Sequence, residues 1–374
     1  MKSVLEEISR LRKNQRATID KSNDNRYRLL LSEADGSKTA YYFSSPIYHT
    51  ESGKLVYPEF KKDGVDAHYE GTHCSAAIGK DVQLLNENGS CILRIPGMIT
   101  DITSEKIQWG NTTVIPTLCG LAFQANAQGG FTFELEMSGA CLPVRVNSKC
   151  FCLMQEKFRP FVTVSCIGTL NEEGAVVAPC TLNYQKLQND VYHITVSPEQ
   201  NYGKNVFFEV NLYENKLLQD TTVNGNDIYS NNAFGTVAFL GESSLLGEEW
   251  LYVRPDLGKM PELRVSKIES AVLHMPRLSK SSLPLRAHGI TTRFCSFGTS
   301  WSNKIPNSPE YTDTVAEESY VAIPVTPFFA DESTGIFKAS NGWILKPEKN
   351  SNSFAALSTA DSSYAPQILE VKFA

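Results

Sequence analysis

Nothing in the 374 residues approaches the run of roughly 20 apolar residues that a membrane-crossing helix needs. No membrane span is therefore expected. The first residues, Met1-Lys2-Ser3-Val4-Leu5-Glu6-Glu7-Ile8, carry acids where a signal peptide needs an apolar core. A cleaved export signal is not expected either: the chain is read as made in the cytoplasm, with any release or surface deposition following a non-classical route. Positive charge is not in excess. The 35 Lys and Arg stand against 41 Asp and Glu, a formal net charge of −6, which disfavours a nucleic acid as partner. Low-complexity tracts and repeats with a period of 20–50 residues are absent. The motifs of nucleotide and hydrolase chemistry are missing too: no P-loop, no G-x-G-x-x-G opening a helix, no H-E-x-x-H and no G-x-S-x-G. The reading is accordingly not an enzyme, with no catalytic residue, no metal site and no cofactor assigned.

What is present is the composition of a folded chain, 41% hydrophobic and 20% charged, long enough for two or three domains. The nine cysteines are an odd number, so at least one is unpaired within the chain. Most lie in apolar or alternating segments such as Val162-Thr163-Val164-Ser165-Cys166-Ile167. They are expected to be buried free thiols, Cys91, Cys119 and Cys166 above all. Cys150-Phe151-Cys152 is too closely spaced for the usual zinc pair and is read as core packing.

The first 21 residues have a helical period. Val4, Leu5, Ile8 and Leu11 make an apolar stripe, followed by the basic Arg10, Arg12, Lys13 and Arg16. So short an amphipathic helix needs a docking partner to be stable, and these four apolar residues are expected to form an assembly arm. After the linker Ser22–Asn25 the period becomes two. Val82–Leu85 and Cys91–Ile95 flank Asn86-Glu87-Asn88-Gly89, a hairpin signal. Phe131, Phe133, Leu135 and Met137 alternate with polar residues. Short strands at close spacing without intervening helices predict an all-β chain, more than a third strand, built of antiparallel sandwiches or barrels in tandem. The polar, turn-rich Asp220–Asp227 reads as a boundary. The expected division is an arm over 1–24, a β-rich domain over 25–217, with a further split near 140–150 left open, and a β-sandwich over 218–374.

The last part of the chain has a specific order of features: Asp220-Thr221-Thr222-Val223, Asn231-Asn232-Ala233-Phe234-Gly235, Glu249–Arg254, Ser266–Leu273, Trp301 and Asn303, Asn341-Gly342-Trp343, and Pro366–Val371. In this order it resembles the DNRLRE family of β-sandwich domains, which is similar to alginate-binding carbohydrate-binding modules. The resemblance covers about residues 218–374, and residues 25–215 are left unassigned. It implies a non-catalytic, jelly-roll-like β-sandwich module of surface, adhesive or polysaccharide-handling proteins. Two departures stand out: the Arg-led strand is displaced to Arg254-Pro255-Asp256-Leu257, and one of two paired tryptophans remains, Trp301.

Candidate contact residues are Trp301 and Asn303, in the polar stretch Gly298-Thr299-Ser300-Trp301-Ser302-Asn303, together with Arg254 and Arg293. An exposed loop tryptophan is a contact surface or a plug at the end of a sandwich. The arginines suit an acidic glycan or local carboxylates. His68, His73, Cys74 and Glu70, downstream of Asp63 and Asp66, are the densest group of ligand-type residues and are read as a polar surface loop. The expected function is a structural or interaction protein, self-associating or deposited on a cell, spore or particle surface. The alternative is a carbohydrate-binding adhesion protein recognising an acidic polysaccharide.

Overall fold

The computed structural model describes residues 18–19, 27–32, 35–49, 55–71, 74–87, 89–138, 142–145, 148–155, 159–187, 190–199, 202–212, 217–260, 262–265, 267–329, 341–348 and 353–373. Val4, Leu5, Ile8 and Leu11, and with them the expected N-terminal helix, lie outside the described residues, as does His73. The protein is all-β: strand makes up 60% of it, and among the described residues no helix reaches seven residues. Every strand pairing is antiparallel in the sheets that position the site. Among the described residues no helix is long and apolar enough to cross a membrane.

The chain divides into two compact units, and the division corrects the expected tandem order. One unit is residues 57–215 with 234–236; the other takes 1–56, 216–233 and 237–374. The expected domain 25–217 therefore loses its first part to the C-terminal body. The cause lies in Arg28–Ser32 and Lys38–Phe43. Leu29-Leu30-Leu31 and Ala40-Tyr41-Tyr42-Phe43 are buried on both faces, which suits interior strands rather than a one-sided surface sheet. Lys38–Phe43 pairs with the last strand, Ile368–Phe373, setting Ala40 opposite Val371 and Tyr42 opposite Leu369.

Among the described residues this discontinuous unit has two large sheets, besides the short pair Tyr48–His49 and Leu55–Val56. The first runs Thr18–Ile19, Arg28–Ser32, Lys38–Phe43, Ile368–Phe373, Ile268–Pro276, Tyr320–Pro324. The second runs Asn307–Val315, Pro284–Ile290, Trp343–Pro347, Gly247–Pro255, Val237–Ser243, Phe354–Ser358, with Leu218–Asn224 also paired to Gly247–Pro255. One core joins them: Tyr42, Leu273, Met275, Leu369 and Val371 from the first, Leu240, Leu251, Leu285, Trp343 and Leu345 from the second. The boundary expected at the polar Asp220–Asp227 lies beside the division at 215/216, and Leu218–Asn224 just after that division is a buried strand in register with Pro255–Glu249. Two of its polar groups have distant partners: Asp220 accepts the amide of Ala360, and the Thr222 carbonyl accepts Asn232 Nδ2 at 2.9 Å.

The inserted unit also has two sheets, of eight and nine strands. The expected hairpin is present, with Asn86 opposite Gly89. Phe131, Phe133, Leu135 and Met137 face the interior, where Phe208 stacks on Phe123 at 5.0 Å and on Phe133 at 5.4 Å. Phe133 and Leu135 share one core with Phe151 and Leu153, so there is no split near 140–150. Cys91, Cys119 and Cys166 are buried free thiols, and Cys295, in the other unit, is an exposed one. Cys150 and Cys152 are fully buried, and Cys150 Sγ lies 3.3 Å from the Phe234 carbonyl oxygen, to which it donates.

Candidate functional site

Strand alternation sorts the second sheet of the discontinuous unit into a core face and an outer face. On Gly247–Pro255, Leu251 and Val253 enter the core, so Trp250 and Tyr252 take the outer face. Register then carries that face across the sheet. Leu251 stands opposite Leu345 and Tyr252 opposite Ile344, which brings Trp250 beside Lys346. On the far side Lys346 is opposite Arg286, and Ile344 opposite His288. Beyond them His288 meets Tyr311 and Arg286 meets Asp313. One side of the sheet thus presents Trp250, Lys346, Arg286 and Tyr311 on four successive strands.

Part of this face is covered and part is open. Ile290 and Phe294 pack with Val223, Tyr252 and Ile344, and Tyr252 Oη donates to the Ile305 carbonyl at 3.1 Å. The covering loop is braced from within. Asn303 Oδ1 accepts the Ser300 amide at 2.6 Å, and its Nδ2 donates to the Gly298 carbonyl at 2.8 Å. Asn231 Nδ2 donates to the Thr299 carbonyl at 3.1 Å, and the Ser302 amide to that of Ile228 at 2.8 Å. These contacts set the single 3-10 turn Trp301–Asn303 so that the Trp301 ring leans on Trp250, centroids 4.7 Å apart at 48°.

Cations lie against the rings. Lys304 Nζ is 3.5 Å from the Trp301 centroid and 4.6 Å from that of Trp250. Lys346 Nζ is 3.9 Å from the Trp250 centroid and donates to Asn307 Oδ1 at 2.6 Å. The Arg286 guanidinium lies 4.6 Å from the Tyr311 centroid and is held by Glu348 at 2.9 Å and Asp313 at 3.3 Å. Since both ammonium groups touch Trp250, their nitrogens lie within about 8.5 Å of each other, the sum of the two ring distances. At that separation like charges repel by about 0.5–2 kcal/mol for an effective dielectric between water and a protein surface. The ring quadrupoles offset a similar amount. Burial pushes the Lys346 ammonium down to about 8, the charge of Lys304 adds to the shift, and Glu248 opposes it. Lys304 is lowered as well, chiefly by burial. Glu248 accepts the Trp250 indole N–H at 2.7 Å.

The four predicted contact residues have different fates. Trp301 lies in the face, half-buried, against Trp250. Asn303 is used inside its own turn. Arg254 is corrected: it is buried, bonded to Gln219, with its guanidinium 5.6 Å from the Phe294 ring. Burial lowers its pKa, and the neighbouring charge of Arg293 adds to this. Arg293 is exposed. Trp250, Lys304 and Lys346 were not predicted. The alternation of Trp250-Leu251 and Leu345-Lys346 places each on the outer face, but only the register joins them.

The other candidate clusters have structural partners. His68 and Glu70 are exposed on Asp66–Glu70, where Lys61 lies 3.9 Å from Glu70, while Cys74 is buried 2.9 Å from Tyr69 Oη. His288 Nδ1 donates to the Ser308 carbonyl at 3.1 Å. Among the described residues no group of three or more His, Cys, Asp or Glu is arranged to hold a metal ion. No protein-family model matches the chain, and no curated protein matches it in sequence.

Proposed function

We propose that this chain is a non-catalytic interaction protein of jelly-roll-like β-sandwich modules, and that its ligand is an acidic polysaccharide taken on the Trp250–Trp301 face. The observation that carries the reading is the row of aromatic rings and cations on one sheet face: Trp301 on Trp250 at 4.7 Å, with Lys304, Lys346 and Arg286 against the rings. Aromatic rings take the apolar faces of sugars, and cations take their acidic groups. The DNRLRE-like order of features in 218–374 agrees with this reading as a family-level analogy. The test is retention on immobilised polygalacturonate compared with neutral dextran. The full chain is expected to be retarded on the first, and a Trp250→Ala/Trp301→Ala variant to elute with the void. Equal retention on both matrices, or an unchanged variant, rejects the reading.

The apolar stripe of Val4, Leu5, Ile8 and Leu11 supports a second element of the proposal, assembly on a surface or with further copies. Burying four such side chains contributes several kcal/mol, at about 1.5–3 kcal/mol each. Light scattering is expected to give a smaller particle for an Ile8→Asp/Leu11→Asp variant than for the parent; equal masses remove the arm from the assembly.

A further inference from the structure

Resting on that binding face, we infer that Lys304 and Lys346 form a seat for a single oxyanion, a carboxylate or sulfate group of the ligand, with the Trp250 ring as its floor.

The geometry converges on this from three sides. The two ammonium groups are brought to one ring, within about 8.5 Å of each other, and the one carboxylate whose charge acts on both, Glu248, is engaged by the Trp250 indole N–H. An oxyanion with one oxygen toward each nitrogen, at charge-assisted distances of about 2.8 Å, reaches both once the flexible lysine tips close on it. Its charge replaces a repulsion by two attractions. Second, both lysines are held. Lys346 stands on a central strand and is tied to Asn307. Lys304 follows the turn that Asn303 braces. Third, the rings are not bare platforms. Ammonium groups lie 3.5 Å from the Trp301 centroid and 3.9 Å from that of Trp250. A neutral sugar must push these cations aside to stack, whereas an anionic one draws them onto itself. The face therefore selects by charge before it selects by shape.

Proton linkage follows. The charged groups around Lys346 Nζ are Lys304 from the loop, Glu248 from the strand of Trp250, and Arg286 across the sheet, itself bound by Asp313 and Glu348. Only the protonated lysine serves the seat, and Lys346 loses its proton near 8. Binding then takes up a proton, and affinity falls as pH rises through that value, by about tenfold between pH 7 and pH 9.

The experiment is a tryptophan-emission titration of the full chain with sodium sulfate and sodium acetate at constant ionic strength, then with polygalacturonate, dextran sulfate and neutral dextran. Sulfate or acetate is expected to give a saturable change that is lost in Lys304→Gln and in Lys346→Gln. Comparison of the two salts, and of the two charged polymers, tells which oxyanion is preferred. Lys346→Arg, which stays charged, is expected to keep the response and to lose most of its fall between pH 7 and pH 9. No saturable response in the parent, or an undiminished one in both glutamine variants, overturns the seat. Should the small anions bind through the lysines while no polymer does, the seat stands and the polysaccharide reading falls. Should polymers bind without regard to charge or to these lysines, the polysaccharide reading stands and the seat falls.

Discussion

At the scale of single residues, the position that governs the face is Gly342. It precedes Trp343–Pro347, the strand that carries Lys346 outward and Trp343 and Leu345 inward. Its φ is +88°, and a Cβ there would lie 2.2 Å from the Val253 carbonyl oxygen and 2.5 Å from Arg254 Cβ. The backbone conformation alone costs an L side chain about 1–2 kcal/mol, and the clash is with a paired strand that cannot turn aside. Gly342→Ala is therefore expected to destabilise the discontinuous unit by about 2–4 kcal/mol, read from denaturant midpoints at unchanged slope. It should also weaken anion binding, because relief of the clash moves Lys346 away from Trp250. A loss of stability below about 0.5 kcal/mol would show that the strands part without cost there. Chemistry at this scale was partly legible. Trp301 could be singled out by its polar loop. Arg254 misled because a charged residue in sequence looks exposed, and here it lies between Gln219 and Phe294.

At the scale of elements, legibility followed the range of the interaction. The Asn86–Gly89 hairpin and the alternating Phe131–Met137 are local patterns, and both appear where the residues place them. The last strand keeps one wetter face, with Glu370 and Lys372 half-exposed and Leu369, Val371 and Phe373 buried. Leu218–Asn224 was not legible. Its propensity is that of a turn-rich link, and what makes it a strand is the supply of partners far along the chain, such as the Ala360 amide for Asp220. Buried polar groups are tolerated when bonded, and no local pattern announces a partner 140 residues away. The Trp250 face is a case of the same kind. Trp250, Lys304 and Lys346 come from two different strands and a loop, and the register of Leu251 with Leu345 unites them.

At the scale of the whole molecule, the order of the chain differs from the order of the cores. Residues 57–215 lie between two parts of one discontinuous unit, and this sets how the chain can be cut. A fragment of residues 218–374 lacks Lys38–Phe43 and so opens one side of Ile368–Phe373. It also removes Leu30, Ala40 and Tyr42 from the core, and with Tyr42 the hydroxyl that donates to Glu262 at 2.8 Å. Taking away two buried large side chains costs about 2–5 kcal/mol each, which is comparable to the whole stability of an ordinary domain. That fragment is expected to be unfolded or aggregated. A fragment of residues 57–215 retains both of its sheets and nearly all of its core, including the Phe123, Phe133 and Phe208 stack. It is expected to fold by itself and to unfold in one cooperative step. Circular dichroism and calorimetry of the two fragments check this. A cooperative transition in 218–374 alone would mean that the N-terminal strands only cover an already stable sheet, whereas its absence there and presence in 57–215 would mark the long-range pairing of residues 38–43 with 368–373 as the contact that completes the body bearing the Trp250 face.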